Sequence, residues 1–243
     1  MALYQLKIVY DGTDFLGFQK QGKGRTVQAE IESALQEMGW KGKSIQSAGR
    51  TDTGVHASGQ VISFKFETSL TKEILQRALN ALLPADVAVK DIQLATKEFH
   101  PRFSAKARKY VYRLYCQEQR NPLLDRFYWH VWPAASFNLL KEGAKLLIGE
   151  HDFHAFGRPP REESGSIRRI LAASWKRNEA GFRFEVTGNA FLYHMVRRMV
   201  FLQVQVAQGR ITMKDLKSAM DGDLGIKPGI APAHGLELCE IVY

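Results

Sequence analysis

The chain has 243 residues, of which 45% are hydrophobic, 24% charged and 11% aromatic. These proportions are typical of a folded globular protein and exclude disorder, collagen-like repeats and coiled coil. With 34 lysines and arginines against 25 aspartates and glutamates, the net charge is +9 at pH 7. Such a charge favours a polyanionic partner, nucleic acid before an acidic membrane surface, although general solubility would explain it equally well.

Apolar runs and cysteines narrow the class of protein further. No apolar run approaches the roughly 18 residues of a membrane helix, and the N-terminus is typical of a strand rather than a signal peptide. The two cysteines, Cys116 and Cys239, are too few for a four-cysteine zinc site or a disulfide framework. We therefore expect a cytoplasmic protein with no membrane attachment.

Hydrophobic periodicity predicts the secondary structure in chain order. In the first half it predicts strands over residues 3–10, 44–48, 60–66 and 87–94, and helices over 26–38 and 70–83. The second of these helices has Ser69 or Thr71 as its N-cap and ends before Pro84. In the second half it predicts strands over 109–116, 169–177, 182–187 and 237–243, and helices over 136–148, 189–208 and 212–220.

The same order of elements, strand-helix-strand-strand-helix-strand, occurs in both halves and is that of a ferredoxin-like unit. We predict an α+β fold in which two ferredoxin-like βαββαβ halves form one wide, mainly antiparallel sheet backed by helices. The halves cover residues 1–104 and 105–243, and the joint between them, 96–107, is basic rather than rich in Gly, Pro or Ser.

Residues 49–60, Gly-Arg-Thr-Asp-Thr-Gly-Val-His-Ala-Ser-Gly-Gln, form the strongest local motif, a predicted loop with three glycines. Such a loop turns tightly and brings its backbone close to whatever it faces, and here it also carries Arg50, Asp52 and His56. A polar turn with a capping aspartate is the structural alternative. Asp-Thr-Gly also resembles the aspartic-protease triplet, but the chain has no second copy and Arg50 would keep the carboxylate ionised.

Basic and aromatic residues alternate over residues 99–113, which include Arg102 and Tyr110. Cations that follow phosphates and rings that stack on unpaired bases are the usual means of holding single-stranded RNA. An edge strand protected by charge would have the same pattern. A further basic loop is predicted over residues 158–169, and His151 and His154 lack the neighbours of a metal site.

The predicted helix over residues 189–208 is mostly apolar yet contains Arg197 and Arg198. No acidic residue lies between Gly188 and Asp215, so a buried arginine would need a carboxylate from elsewhere in the fold. Asp52 is a candidate, and we expect one of the two arginines to extend to solvent.

Several ordered motifs together resemble the tRNA pseudouridine synthase A family over nearly the whole chain. They begin with Tyr-Asp-Gly-Thr at residues 10–13, Gly-Arg-Thr-Asp at 49–52 and Phe-His at 99–100, and end with Asn-Ala-Phe at 189–191, His-Met-Val-Arg at 194–197 and Gly-Leu at 235–236. Thr53 departs from the family, which often has alanine there. The resemblance implies the pseudouridine synthase fold and no cofactor or metal.

The resemblance also implies a reaction, in which uridine becomes pseudouridine at positions 38, 39 and 40 of the tRNA anticodon stem-loop, in a homodimer. Asp52 would be the nucleophile, paired with Arg197. Tyr110 would stack on the target base and Arg50 would help to extrude it. His56 and Arg102 would also contact the substrate, and the stretches 102–113 and 158–169 would bind phosphates. A non-catalytic RNA-binding protein, such as an RNA chaperone, remains the alternative from another class.

Overall fold

The computed structural model describes residues 1–159, 165–222, 225 and 228–243. By internal contacts the chain divides into two compact units, Met1–Lys106 with Glu237–Tyr243, and Ala107–Leu236. Each unit has strands that are mainly antiparallel and are accompanied by helices. The predicted α+β class is therefore confirmed. Within the described ranges, no helix has the length and apolarity that crossing a membrane requires.

The first unit follows the predicted strand-helix order closely. Its elements are β1 (Ala2–Tyr10), α1 (Val27–Glu37), β2 (Gln46–Ser47), β3 (His56–Phe66), α2 (Lys72–Leu82), β4 (Val87–Leu94) and β10 (Leu236–Val242). The strand order is β4-β1-β3-β10, and β2 also pairs with β3. Thr26 caps α1, and Thr71, one of the two predicted caps, caps α2 by accepting the Ile74 N–H.

The C-terminal strand β10 clusters with the first unit and not with the residues that precede it. It runs parallel to β3, with Glu237 opposite His56 and Leu238 opposite Ala57. A Cβ at Gly59 would lie 2.0 Å from the Cys239 carbonyl oxygen, so this approach requires glycine. The compact units thus differ from the halves 1–104 and 105–243 in this strand, and those halves stay a proposal.

The second unit has more strands than its sequence pattern predicts. Its elements are β5 (Ala107–Tyr115), β6 (Trp129–His130), α3 (Phe137–Leu146), β7 (Gly149–Asp152), β8 (Ile167–Arg177), β9 (Phe182–Gly188), α4 (Met195–Ala207) and α5 (Met213–Met220). The antiparallel order is β5-β9-β8-β7, and β6 runs parallel to β5. Strands β6 and β7 were missed because they have two and four residues, too few for an alternating pattern.

Helix α4 begins at Met195, six residues later than predicted. Residues 189–194 are not helical because Asn189 Oδ1 accepts the backbone N–H groups of Arg169 and Ala190, which fixes a turn instead. His194 then adopts a left-handed conformation with φ of 67° immediately before the helix. Apolar residues before the helix were therefore mistaken for its first turn.

The prediction of a basic loop over residues 158–169 was wrong at its end, because β8 begins at Ile167. Arg168 is buried in that strand, and burial lowers the pKa of its guanidinium. Residues 160–164 of the predicted loop lie outside the described residues.

Candidate active site

The Asp52 loop connects β2 to β3, and the segment after β1 holds it in place. The Phe18 N–H donates to the Thr51 carbonyl oxygen at 3.1 Å, and the Gly54 N–H donates to the Phe15 carbonyl at 3.3 Å. Beneath the loop, the buried hydroxyls of Tyr10 and Thr51 are hydrogen-bonded at 2.8 Å. Asp52 itself is half-buried. The chain thus fixes the backbone on both sides of Asp52, a residue that is partly exposed to solvent.

Two glycines make this close approach possible. A Cβ at Gly12 would lie 2.0 Å from the Val55 carbonyl oxygen, and one at Gly17 would lie 2.8 Å from that of Thr51. Gly17 also has a φ of 91°, a backbone angle that residues other than glycine rarely adopt. Any side chain at Gly12 would push the segment 10–19 away from the Asp52 loop.

His56 lies at the start of β3 and is only 4% exposed. Its Nδ1 accepts the Gly12 N–H at 3.0 Å and lies 3.1 Å from Asp11 Oδ1. One nitrogen cannot both accept from Gly12 and donate to Asp11, so with the Gly12 bond made Nδ1 carries no proton. His56 therefore fixes the Asp11–Gly12 turn against β3, and contact with substrate stays a prediction.

Arg50 and Arg102 both belong to the first unit and are exposed. Arg50 is two residues from Asp52 in the same loop. Arg102 lies in a turn whose backbone is fixed by His100, since His100 Nδ1 accepts the Arg102 N–H at 3.1 Å. Both arginines thus lie at the surface of the first unit.

Tyr110 and Arg197 belong to the second unit. Tyr110, on β5, is 9% exposed and packs edge-to-face on Phe191, with ring centroids 5.1 Å apart. Two residues along the same face of β5, the Tyr112 hydroxyl donates to the Pro232 carbonyl at 2.8 Å. Burial raises the pKa of Tyr112 well above its usual value, against the opposing effect of the Arg197 charge. Arg197 therefore lies close to the strand that carries Tyr110.

The two arginines of α4 differ in burial and share a type of partner. The half-buried Arg197 donates from Nε to the Ala231 carbonyl at 2.7 Å, and its own carbonyl accepts the Ala231 N–H. Arg198 is only 9% exposed and donates to the Gly229 carbonyl at 2.7 Å; burial lowers the pKa of its guanidinium. Backbone carbonyls of residues 229–231 thus accept from both arginines, and the pairing of Arg197 with Asp52 stays a prediction.

The comparison with known families tests whether the chain is a tRNA pseudouridine synthase or an RNA-binding protein of another kind. A model of the tRNA pseudouridine synthase family matches residues 8–104 and 144–243. The chain belongs to this family. The match includes the Asp52 loop, Arg102 and Arg197, whereas Tyr110 falls in the gap between the two matched stretches.

Curated relatives named tRNA pseudouridine synthase A are similar to this chain over almost its whole length. The protein of Latilactobacillus sakei is 39% identical, covering 99% of this chain and 98% of its own. The Geobacillus protein is 38% identical over 96% and 95% of the two chains, and that of Bacillus subtilis is 38% identical over 97% of each. These alignments extend across the gap that contains Tyr110.

In this tRNA pseudouridine synthase, sequence reasoning assigned no role to the residues that hold the Asp52 loop. Tyr10 and Gly12 were recognised only as parts of a motif, and Thr51 only as a neighbour of Asp52. Their functions depend on contacts about 40 residues apart in the chain, such as the one between Tyr10 and Thr51. One signal of this contact is visible in the sequence: glycines occur at positions 12 and 17 as well as in the Asp52 loop, as expected of two segments that approach each other closely.

Proposed function

We propose that this protein converts uridine to pseudouridine at positions 38, 39 and 40 of the tRNA anticodon stem-loop, with Asp52 as the nucleophile. The observation that carries the proposal is the half-buried Asp52 carboxylate on a loop fixed by Thr51 and Gly54, in a chain of the tRNA pseudouridine synthase family. A carboxylate held in one position can attack repeatedly without rearranging the backbone around it.

The reaction exchanges one bond for another. The bond from C1′ of the ribose to N1 of uracil breaks, the base rotates, and a bond from C1′ to C5 forms. The proton on C5 is lost and N1 gains one, so atoms and electrons balance without a redox step or a hydrolysis. A covalent bond to Asp52 would divide this exchange into two easier steps. The same balance holds for attack at C1′, for attack at C6 and for a route through a glycal.

The other predicted residues receive roles by their chemistry. Arg50, exposed beside Asp52, would replace the target base in the stack, since a base must leave the helix before the enzyme can act on it. Tyr110 would stack on the extruded base. Arg197 would keep Asp52 ionised, as expected of a guanidinium near a carboxylate. Arg102 would contact phosphate, and His56 would contact the substrate or position the loop.

The proposal also covers the part of the tRNA that is bound, the oligomeric state and the cellular location. The anticodon arm is the part of tRNA that is bound, because it contains the proposed target positions. The protein acts as a homodimer, as the family resemblance implies. It works in the cytoplasm, which the low number of cysteines supports, because Cys116 and Cys239 alone cannot form the disulfide framework typical of small secreted proteins.

An assay of the purified protein tests the proposal. The substrate is an unmodified tRNA transcript with uridine at positions 38, 39 and 40, and pseudouridine is mapped by chemical probing. We expect product at one or more of these positions, and none in a matched transcript with cytidine at all three. Tight tRNA binding without product would contradict the proposal and favour the non-catalytic RNA-binding alternative. Product elsewhere in the tRNA would contradict only the assigned positions.

A further inference from the structure

A cavity of about 720 Å³ lies in the first unit, and the residues that line it do not include the loop that carries Asp52. The exposed side chains at its rim include three lysines, Lys41, Lys65 and Lys97, and one carboxylate, Glu67. A surface with this balance of charge attracts anions, and the volume is sufficient for a nucleotide.

The wall of the cavity is aromatic and held in place. Trp40 is 5% exposed, and its indole N–H donates to the Lys65 carbonyl at 2.9 Å. Its ring contacts Phe64 edge-to-face, with centroids 6.0 Å apart. Because these side chains are fixed, the cavity keeps its shape without a ligand, which reduces the conformational entropy that the protein loses when a ligand binds.

His100 connects this cavity to an exposed aromatic residue. It lines the cavity, and its ring lies 4.3 Å from that of Phe103, which is 77% exposed. His100 Nδ1 accepts the Phe103 N–H at 3.4 Å, and the Ser104 N–H donates to the His100 carbonyl at 2.9 Å. The turn therefore presents the Phe103 ring to solvent from a fixed backbone, beside the Arg102 guanidinium at 5.8 Å.

We propose that this surface, formed by Lys41, Lys65, Lys97, His100 and Phe103, binds unpaired nucleotides of the substrate tRNA. The Phe103 ring stacks on a base and the lysines contact phosphates, which is the usual combination for single-stranded nucleic acid. The inference rests on the proposed function, since it takes tRNA as the polyanion. Cationic charge around the ring favours this partner over a second copy of the chain, whose own net charge is +9.

Affinity for the tRNA transcript tests the stacking, using the full-length protein and four variants. Phe103→Ala and Phe103→Leu should bind roughly tenfold more weakly, because both lose the ring, whereas Phe103→Trp should bind at least as tightly as wild type. Leu94→Ala is the matched control, because Leu94 is 60% exposed in the same unit and lies outside the cavity. KM should rise with the dissociation constant while kcat stays unchanged.

The salt dependence of binding tests the phosphate contacts. Lys97→Gln should reduce the slope of log affinity against log salt by about 0.7 to 0.9, the value for one phosphate contact. Lys90→Gln, an exposed lysine on β4 outside the cavity, should leave the slope unchanged.

Three results would overturn the inference. Wild-type affinity of Phe103→Ala would exclude stacking, and wild-type affinity of Phe103→Leu alone would show that apolar area, not the ring, matters. A shift of Phe103→Ala from dimer to monomer in gel filtration would assign the ring to an interface between copies. Absence of pseudouridine from the wild type would refute the proposed function, but the affinity series would still decide whether RNA stacks on Phe103.

Discussion

The Asp52 loop and the arginine segment of α4 are fixed in different ways. Backbone hydrogen bonds from Phe18 to Thr51 and from Gly54 to Phe15 fix the loop, and glycine at position 12 lets the two segments approach closely. In the second region, one backbone bond is supplemented by side-chain cations, because Arg197 and Arg198 donate to carbonyls of residues 229–231. Backbone contacts tolerate no added atom, whereas a guanidinium can shift with its partner. The loop should therefore be the more sensitive of the two to substitution.

The largest expected effect on stability is at Gly12. Gly12→Ala would place a methyl group 2.0 Å from the Val55 carbonyl, and relieving that overlap should cost about 3 kcal/mol of unfolding free energy. For a chain of this size that is a fall of roughly 6 to 12 °C in Tm. Gly22→Ala is the control, since a Cβ there meets nothing within 4 Å. Equal melting temperatures for the two variants would show that the loop is not held rigidly.

The arginines of α4 should differ in their effect on kcat more than in their effect on stability. Arg197→Met should lower kcat by about 100-fold, if its charge serves the carboxylate as proposed, and should also lower the unfolding free energy by about 1 kcal/mol through loss of its bond to the Ala231 carbonyl. Arg198→Met should leave kcat unchanged and lower the unfolding free energy by about 1 to 2 kcal/mol, through loss of the charged donor to the Gly229 carbonyl. Steady-state kinetics and urea unfolding of both variants measure this. The reverse pattern would exchange the two roles.

The hydroxyl pair beneath the Asp52 loop should have a smaller effect. Tyr10→Phe and Thr51→Val each remove one partner of a buried 2.8 Å hydrogen bond. A double-mutant cycle of urea unfolding should give a coupling energy of about 1 kcal/mol. Additive losses would mean that the two hydroxyls stabilise the loop independently of each other.

The smallest effect is expected at Tyr112 and depends on pH. Burial raises its pKa in the folded protein, so its contribution to stability is complete below about pH 10 and is lost as pH rises above that value, where the unfolded phenol ionises. Tyr112→Phe should therefore lose less stability than wild type between about pH 9 and pH 11. Parallel pH profiles of unfolding free energy would contradict this.

The difference between backbone contacts and side-chain contacts also explains which features could be predicted from the sequence. The Asp52 loop was evident because tight backbone turns require particular residues, and glycines with an arginine and an aspartate in one short stretch are visible in sequence. The α+β class followed from periodicity in elements as long as β3. The backbone acceptors of Arg197 and Arg198 could not be predicted, because every residue has a carbonyl and nothing in the sequence marks Gly229 or Ala231 as an acceptor.

The ends of helices and the shortest strands could not be predicted from the sequence either. The start of α4 depends on the Asn189 side chain bonding to Arg169, twenty residues earlier. Strand β7 exists because Gly149–Asp152 pairs with β8, although its own four residues have no strand pattern. The pairing of β10 with β3 joins residues about 180 positions apart. In each case a long-range contact outweighed local preference.

The most direct test of the central claim is a single-turnover assay of Asp52→Asn on the tRNA transcript, beside wild type and Asp14→Asn. Asn keeps the size of the side chain and removes its nucleophilic charge, and Asp14 is an exposed carboxylate of the neighbouring segment. We predict that Asp52→Asn binds tRNA like wild type and forms pseudouridine at least about 10³-fold more slowly, while Asp14→Asn is fully active. Wild-type product formation by Asp52→Asn would show that Asp52 is not the nucleophile.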